Sequence, residues 1–299
     1  MSIEKITRIS AIAVGTVAAM SVLSPAARAG SLWTYQADSF TDKSGDDSME
    51  VFGMAYRDDG DTVTFALNGG MALGGSYQNF SQVKDNYINW GDLFINLNPT
   101  QSLNQSFQTG EVIGIRFDGT NDSGIDGDVN TYSSTPGETG VYMGVTGKSV
   151  AGANYGYSSL SSWENSVTGE SYGDASLDKN YFGDSNAKNV ISSYNERLGN
   201  VNLIADTSSL DLDWTGNIGD EGEHTIAFSF DRSLLGQEQT EWIASAFLEC
   251  FNDGVGMRGT FAAVPDEPGD VADVPEPSML MALGLMGLAG VKSRRQKAA

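Results

Sequence analysis

The chain has one cysteine and one histidine among its 299 residues, Cys250 and His224. A single cysteine excludes a disulfide scaffold, so stability has to come from the hydrophobic core or from bound ions. The lack of a histidine and cysteine cluster also disfavours a zinc site. His224 opens a predicted strand, and Cys250 lies in another with no base beside it, which favours structural roles for both. We therefore predict no catalytic residues.

Basic residues are also scarce, with 17 lysines and arginines against 39 acidic residues. From Gly30 to the apolar run near the C-terminus, 10 basic residues stand against 38 acidic ones, a formal net charge of −28. A surface this negative repels nucleic acid phosphates and anionic membranes, because both need cationic partners. Nucleic acid is excluded as a partner, and cations become the natural ones.

The N-terminus has the order of regions found in secretory signal peptides. Lys5 and Arg8 precede an apolar run over residues 9–23, which is followed by the small residues Ala27 and Ala29. This order predicts export through the inner membrane, with cleavage by signal peptidase after Ala29. Residues 1–29 are therefore left out of the fold prediction.

The C-terminus has three consecutive regions after an acidic spacer over residues 264–273. The motif around Pro275, Glu276 and Pro277 is followed by an uncharged apolar run over residues 278–291 and then by a basic cluster. The run is short for a membrane-spanning helix, which needs about 17 to 25 residues, but Lys292 can snorkel and extend it. The basic cluster is expected to stay cytoplasmic. We predict a short transmembrane segment within residues 274–299.

This three-part end closely resembles the PEP-CTERM sorting signal of bacterial envelope proteins, which the membrane protease exosortase recognises. The resemblance implies that Pro275, Glu276 and Pro277 are the recognition motif and that exosortase processes the chain. It also implies a location at the envelope surface, or secretion after processing. Proline on both sides of Glu276 favours an extended motif, which suits a protease cleft.

The region between the two ends reads as short strands separated by turns rich in glycine, asparagine, aspartate and serine. Residues 49–56 and 62–67 flank an Asp/Gly turn and predict a hairpin. Alternating apolar residues predict further strands at residues 88–97, 112–118, 140–146, 224–230, 242–250 and 255–261. Helical periodicity is confined to residues 188–198, and residues 208–216 read as a loop.

This pattern predicts an all-β fold, an antiparallel β-sandwich of jelly-roll-like type with at most one or two short helices. A single domain over residues 30–263 is the simpler prediction, and two domains remain an alternative because the region is long.

The body also resembles a family. The segments that carry this resemblance are residues 33–35, 50–55, 89–94, 114–117, 119–124, 140–142 and 249–254. Together they resemble the cyanobacterial exosortase-dependent surface proteins called the XDD group. An insertion-like stretch over residues 125–138 and the aromatic Phe251 depart from the pattern of that group. The resemblance implies a location and supplies no activity.

Two acidic turns are candidate calcium sites. Asp58, Asp59 and Asp61 lie at the tip of the predicted hairpin, and Asn252 and Asp253 lie between the last two predicted strands. Ca²⁺ takes six to eight hard oxygen ligands of this kind. Neither turn matches the EF-hand loop, and aspartate and asparagine are also ordinary turn residues. A bound Ca²⁺ and solvated turns therefore remain two interpretations.

These patterns favour a noncatalytic component of the envelope or extracellular matrix, with Ca²⁺ and extracellular polysaccharide as candidate ligands. The alternative is a secreted carbohydrate-active module, either a lectin-like binder or a glycoside hydrolase with two facing acids. The tryptophans Trp90, Trp163, Trp214 and Trp242 and many tyrosines would offer sugar platforms if exposed, although aromatic residues in sandwich strands favour the core. An exposed aromatic strip would favour the carbohydrate-binding alternative.

Overall fold

The structure is a computed structural model that describes residues 32–38, 47–126, 137–157, 159–166, 179–183, 188–236 and 238–263. Its strands are β1 (Thr34–Ala37), β2 (Val51–Asp58), β3 (Thr62–Gly69), β4 (Ser76–Tyr77), β5 (Tyr87–Ile88), β6 (Leu93–Asn96), β7 (Val112–Arg116), β8 (Gly140–Met143), β9 (Thr146–Lys148), β10 (Val190–Ser193), β11 (Glu196–Gly199), β12 (Asn202–Ile204), β13 (His224–Asp231), β14 (Thr240–Phe247) and β15 (Gly254–Phe261). Its α-helices are α1 (Leu103–Thr109), α2 (Leu160–Ser166), α3 (Lys179–Phe182) and α4 (Trp214–Ile218). The predicted signal peptide, acidic spacer and sorting segment lie outside the described residues.

Two antiparallel sheets form the body of the protein. The first has the order β1-β2-β3-β13-β12, and the second has the order β11-β8-β7-β6-β14-β15. Strands that follow one another along the chain are often direct neighbours, so hairpins supply many of the connections. The predicted all-β antiparallel sandwich is confirmed.

The main core lies between the two sheets and is built from every second residue of the central strands. Phe65 and Phe228 come from the first sheet, and Ile113 and Ala244 come from the second. Phe228 also stacks on Phe117, with ring centroids 4.5 Å apart. Burial of each such apolar side chain contributes about 1.5 to 3 kcal/mol.

Both sheets are also covered on part of their outer faces. Phe107 of α1, Trp163 of α2 and Phe182 of α3 pack with residues such as Ile243 of the second sheet. Trp214 of α4 packs with the alanines of β2, β3 and β13 on the first sheet. The central strands are therefore buried on both faces, which explains why many of them read as continuous apolar runs.

Three sequence predictions differ from the structure. The helix predicted over residues 188–198 is wrong, because β10 and β11 occupy it and pair with β9 and β8. The loop predicted over residues 208–216 contains a 3-10 helix at Thr207–Leu210 and the start of α4, which the Asp213 carboxylate caps by accepting from the Gly216 N–H at 2.9 Å. The described residues contain four short α-helices, where one or two were expected.

Different polar contacts mark the two ends of the sandwich. At the hairpin end, the buried Arg232 donates to Asp58 Oδ2 at 3.2 Å and to the Ala262 carbonyl at 2.6 Å. At the opposite end, the Val51 N–H donates to Asp253 Oδ2 at 2.5 Å. Val51 and Asp58 are the two ends of β2, and a strand of eight residues spans about 25 Å. We call the Asp253 end the network end.

Candidate functional site

A set of buried polar side chains gathers at the network end of the sandwich. They come from the loops around β5, β6, β7, β10 and β14, and all are at most 5% exposed: Asn89, Asp92, Arg116, Asn121, Asp122, Asn154, Asn189 and Glu249. We call this set the polar network. Three of the segments that carry the family resemblance, residues 89–94, 119–124 and 249–254, converge on it.

Glu249 is the fully buried centre of one half of the network. Its Oε2 accepts from the Asn89 N–H at 2.8 Å, and its Oε1 accepts from the Asp122 N–H at 2.5 Å. Burial, together with the nearby Asp122 carboxylate, raises its pKa well above the usual range. One carboxylate therefore joins the loops that carry residues 89 and 122 to the turn between β14 and β15.

Asp92 is the fully buried centre of the other half. Its Oδ1 accepts from Asn121 Nδ2 at 2.8 Å, and its Oδ2 accepts from the Ile191 N–H at 2.6 Å. Arg116 Nε donates to Asn121 Oδ1 at 3.0 Å, so Asn121 connects the carboxylate to a buried guanidinium. Burial raises the pKa of Asp92 to about 6, although Arg116 opposes the shift.

Asn189 is a fully buried amide that connects three loops. Its Nδ2 donates to the Glu249 carbonyl at 2.7 Å and to the Leu248 carbonyl at 3.0 Å, and its Oδ1 accepts from the Val150 N–H at 3.1 Å. Its backbone carbonyl lies against Gly91, where any Cβ would collide with it. Gly91 is therefore required by close backbone approach.

Three oxygen atoms at one edge of the network have no hydrogen-bond partner among the described residues. They are Asp85 Oδ2, Asp122 Oδ1 and Asn154 Oδ1, and each atom is buried. Asn154 Nδ2 donates to the second oxygen of Asp122 at 3.0 Å, so these two side chains are in direct contact. Buried oxygens normally have partners, and their lack of one points to a ligand or to bound water.

A cavity of about 370 Å³ opens beside this edge. Asp85, Tyr87, Asn89 and Thr120 line it together with Gly74. Asp85 is the acidic residue among those lining residues, and it therefore lies between the cavity and the buried network.

Two pairs of exposed aromatic side chains come from residues 77–87, which contribute to the cavity, and from the segment around Tyr155 that pairs with them. Tyr77 and Tyr87 are 5.5 Å apart between ring centroids, and Phe80 and Tyr155 are 5.6 Å apart. Tyr77 and Tyr155 are each 61% exposed. Tyr155 also adopts a φ of 54°, which is rare for a bulky residue and found most often where function requires it. We call these four residues the aromatic surface.

The tryptophans behave as the sequence predicts. Trp90, Trp163, Trp214 and Trp242 are all buried in the three hydrophobic clusters and offer no ring face to a large ligand. The exposed aromatic residues are instead a phenylalanine and tyrosines in a loop, which strand periodicity does not reveal.

The residues predicted as calcium ligands lie at opposite ends of the sandwich. Asp58 is held by Arg232 and accepts from the Gly60 N–H at 2.8 Å, and Asp59 accepts from the Thr62 N–H at 2.9 Å. The side chain of Asp61 is exposed at the same turn.

Asp253 lies about one strand length away at the network end. It accepts from Val51 and from the Gly254 N–H at 2.7 Å. The carbonyl of Asn252 accepts from Trp163 Nε1 at 3.0 Å. Most of these carboxylates therefore already hold turns in place, and a shared site between the two turns is ruled out by distance.

His224 begins β13 as predicted, whereas the strand predicted over residues 242–250 ends at Phe247, so that Cys250 lies in the turn after it. Cys250 is fully buried in the main core, and burial raises the pKa of its thiol to about 12, which disfavours the reactive thiolate. The backbone of His224 pairs with Gly69 at the start of β13.

Sequence reasoning missed the members of the network that come from isolated positions. Asn154 and Asn189 belong to none of the quoted motifs, and Asp85 follows a lysine in an unremarkable loop. Within the described residues, no group of three or more histidine, cysteine, aspartate or glutamate side chains has a geometry suited to a metal ion.

Comparison with known proteins identifies the C-terminal end. The family model for the PEP-CTERM protein-sorting motif matches residues 273–296. No curated protein and no solved structure matches the chain significantly, so the resemblance of the body to the XDD group stays a prediction. Among the described residues, no helix is both long and apolar enough to span a membrane. The chain carries a PEP-CTERM sorting signal, which marks it as an exosortase substrate exported and sorted to the cell envelope.

Proposed function

We propose that the protein is a noncatalytic envelope component that binds uncharged glycans through its aromatic surface. The observation that carries this proposal is the exposure of the four aromatic side chains, of which Tyr87 lines the cavity and Tyr77 packs against Tyr87. Exposed aromatic groups of this size on a water-soluble sandwich are typical of ligand-binding surfaces.

Sugar chemistry fits this surface. A pyranose ring has one apolar face of C–H groups, which stacks on an aromatic ring, and a rim of hydroxyl groups that need hydrogen-bond partners. The Tyr87 hydroxyl and the Thr120 side chain supply such partners at the cavity. The net charge of −28 between the two processed ends favours uncharged glycans over anionic polysaccharide.

A binding role is better supported than hydrolysis. A glycoside hydrolase needs two carboxyl groups on opposite sides of a bound sugar. The carboxylates of Asp92 and Glu249 are enclosed and fully hydrogen-bonded, and Asp85 is the acidic residue that reaches the described wall of the cavity. The sequence-predicted calcium turns receive less support, because Asp58 and Asp253 already bind backbone N–H groups.

The test is binding of the purified full-length chain in detergent to an array of uncharged oligosaccharides. The double variant Tyr77→Ser/Tyr87→Ser should lower the affinity for any glycan bound by about tenfold or more, since each tenfold corresponds to about 1.4 kcal/mol of lost stacking. Both side chains are exposed, so the fold should be unaffected.

Tyr194→Ser is the matched control, because Tyr194 is an exposed tyrosine of similar accessibility outside the aromatic surface. The control should bind as the unaltered chain does. Equal affinities for the double variant and the unaltered chain, or no binding of any glycan on the array, would overturn the proposal.

A further inference from the structure

We propose that Asp85, Asp122 and Asn154 bind a calcium ion at the edge of the polar network. This inference is independent of the proposed glycan binding, and it places the cation away from both turns that the sequence indicated.

The donor atoms are the three buried oxygens without a partner. Asp122 is 5% exposed and Asn154 is 1% exposed, and each leaves one side-chain oxygen without a hydrogen bond. Asp85 uses Oδ1 to accept from the Tyr87 N–H at 3.0 Å and leaves Oδ2 buried and unpaired. An unpaired buried acceptor destabilises the folded state, and it does so more strongly when it is charged.

The orientation of the Asn154 amide is fixed by its own contacts. Nδ2 donates to Asp122 Oδ2 at 3.0 Å and to the Val150 carbonyl at 3.2 Å. A flipped amide would put its oxygen against two acceptors, so the assignment of nitrogen and oxygen is secure. Because the amide is a single planar group, Asn154 Oδ1 lies beside the Asp122 carboxylate. One uncharged oxygen and one carboxylate oxygen are therefore close to each other.

Local backbone contacts hold the three residues together. Val83 and Asn154 form an antiparallel bridge, and the Lys84 N–H donates to the Ala153 carbonyl at 3.1 Å. Asp85 directly follows this bridge. The loop that carries Asp85 is therefore attached to the segment that carries Asn154, and the cavity beside Asp85 offers a route for an ion.

The charge balance also favours a cation. The Asp85 carboxylate lies close enough to Asp122 to repel it, and the Asn154 N–H group is the hydrogen-bond donor to the Asp122 carboxylate. Glu249, which accepts from the Asp122 N–H, adds a further acidic group, while Arg116 and Lys148 supply positive charge nearby. A divalent cation would relieve the remaining repulsion among the three carboxylates.

The donor chemistry selects the type of ion. Two carboxylates and one amide oxygen are hard ligands, and there is no sulfur or imidazole among them, which favours Ca²⁺ over zinc or copper. Ca²⁺ accepts six to eight oxygens in irregular arrangements, so water and nearby carbonyls would complete the shell. The smaller Mg²⁺ demands a stricter octahedron.

The experiment is thermal unfolding of the purified full-length chain in detergent, in EDTA and in added CaCl₂. At a Ca²⁺ concentration a hundred times the dissociation constant, the melting temperature should rise by about 5 to 10 °C for a domain of this size. In Asp122→Asn this rise should disappear. The same variant should melt in EDTA at or above the temperature of the unaltered chain, because a neutral amide does not repel Glu249.

Asp85→Asn is a second variant at a partly exposed position, and its amide oxygen can still accept from the Tyr87 N–H. It should bind Ca²⁺ at least about tenfold more weakly in equilibrium dialysis, since a full charge is lost from the ligand set. Asp61→Asn is the matched control, because Asp61 is an exposed aspartate at the hairpin end, and its Ca²⁺ response should be unchanged.

Three results would overturn the proposal. They are an unaltered chain whose melting temperature ignores Ca²⁺, a full Ca²⁺ response in both Asp122→Asn and Asp85→Asn, and loss of the response in Asp61→Asn alone. The first would leave bound water as the partner of the three oxygens, and the last would return the cation to the hairpin turn.

Discussion

At the scale of single residues, the polar network is costly to keep ionised. Asp92 and Glu249 are fully buried acids, and the Asp92 carboxylate accepts hydrogen bonds from Asn121, Ile191 and Ser123. Water would solvate an ionised carboxylate better than this, which is why burial raises both pKa values. The network specifies which loops meet, and it does so at a cost in stability near neutral pH.

The pKa shift of Asp92 predicts how stability depends on pH. Its folded-state pKa of about 6 exceeds the ordinary value of 3.8, so between these values the folded state holds more protons than the unfolded state. Stability should therefore fall as pH rises from about 4 to about 7. Asp122 and Glu249 shift in the same direction. Urea unfolding of the full-length chain in EDTA at both pH values measures the difference.

Asp92→Asn isolates the contribution of this residue. Through Asp92, the unaltered chain should lose roughly 3 kcal/mol of unfolding free energy over this pH range, because its pKa is about two higher in the folded state than in the unfolded state. The variant should not show this loss. Asp61→Asn is the control and should leave the pH dependence as it was. An unfolding free energy that increases over this pH range in the unaltered chain would contradict the prediction.

At the scale of elements, Arg232 fastens the end of β2 to the end of β15. Its guanidinium is 1% exposed, and it binds Asp58 and the carbonyls of Ala262 and Gly236. Arg232→Met should lower the unfolding free energy by about 3 to 5 kcal/mol, because Asp58 is left buried without its counter-ion. Urea unfolding measures the change.

Arg197→Met is the matched control for this prediction. Arg197 lies 2.7 Å from Glu138, but both side chains are substantially exposed, and such a pair contributes less than about 1 kcal/mol. Similar losses of unfolding free energy in the two variants would contradict the prediction that the buried ion pair contributes more than the exposed one.

Some strands could be predicted from the sequence alone, and others could not. Alternating apolar residues predicted β13 and β15 within one residue of their ends and β7 within two, because this pattern is a local property of the sequence. The prediction for residues 88–97 failed in the middle, since residues 89–92 leave the strand to join the polar network. Residues 188–198 mimic a helical pattern, yet pairing with β8 and β9 decides their conformation.

The candidate site was less accessible to prediction than the fold. Its partners are far apart in sequence, as with Asp122 and Glu249, and their contact depends on how the sheets stack. Asp85 and Asn154 carry no local signal, because an acid or amide in a loop is most often a solvated turn residue. The C-terminal motif could be recognised from the sequence because Pro275, Glu276 and Pro277 are adjacent in the chain. Their recognition does not depend on how the chain folds.

At the scale of the whole molecule, the sorting signal predicts a processing event. Replacing Pro275, Glu276 and Pro277 with alanine should leave the protein uncleaved and retained, because exosortase no longer recognises it. Mass spectrometry of the C-terminus and immunoblots of cell fractions measure this. The matched control replaces Pro265, Glu267 and Pro268 of the acidic spacer, which are the same residue types. Unchanged release of the motif variant would refute the role of the signal.

The first and the last described residues lie at the same end of the sandwich. Thr34 of β1 pairs with Tyr56, and Ala262 follows β15 beside Asp58, so the described chain enters and leaves at the hairpin end. The aromatic surface and the polar network occupy the opposite end, about 25 Å away. Under the proposed function, the glycan-binding surface therefore lies at the end of the sandwich away from the sorting tail. A chain that exosortase has not yet cut would then already be able to bind a glycan.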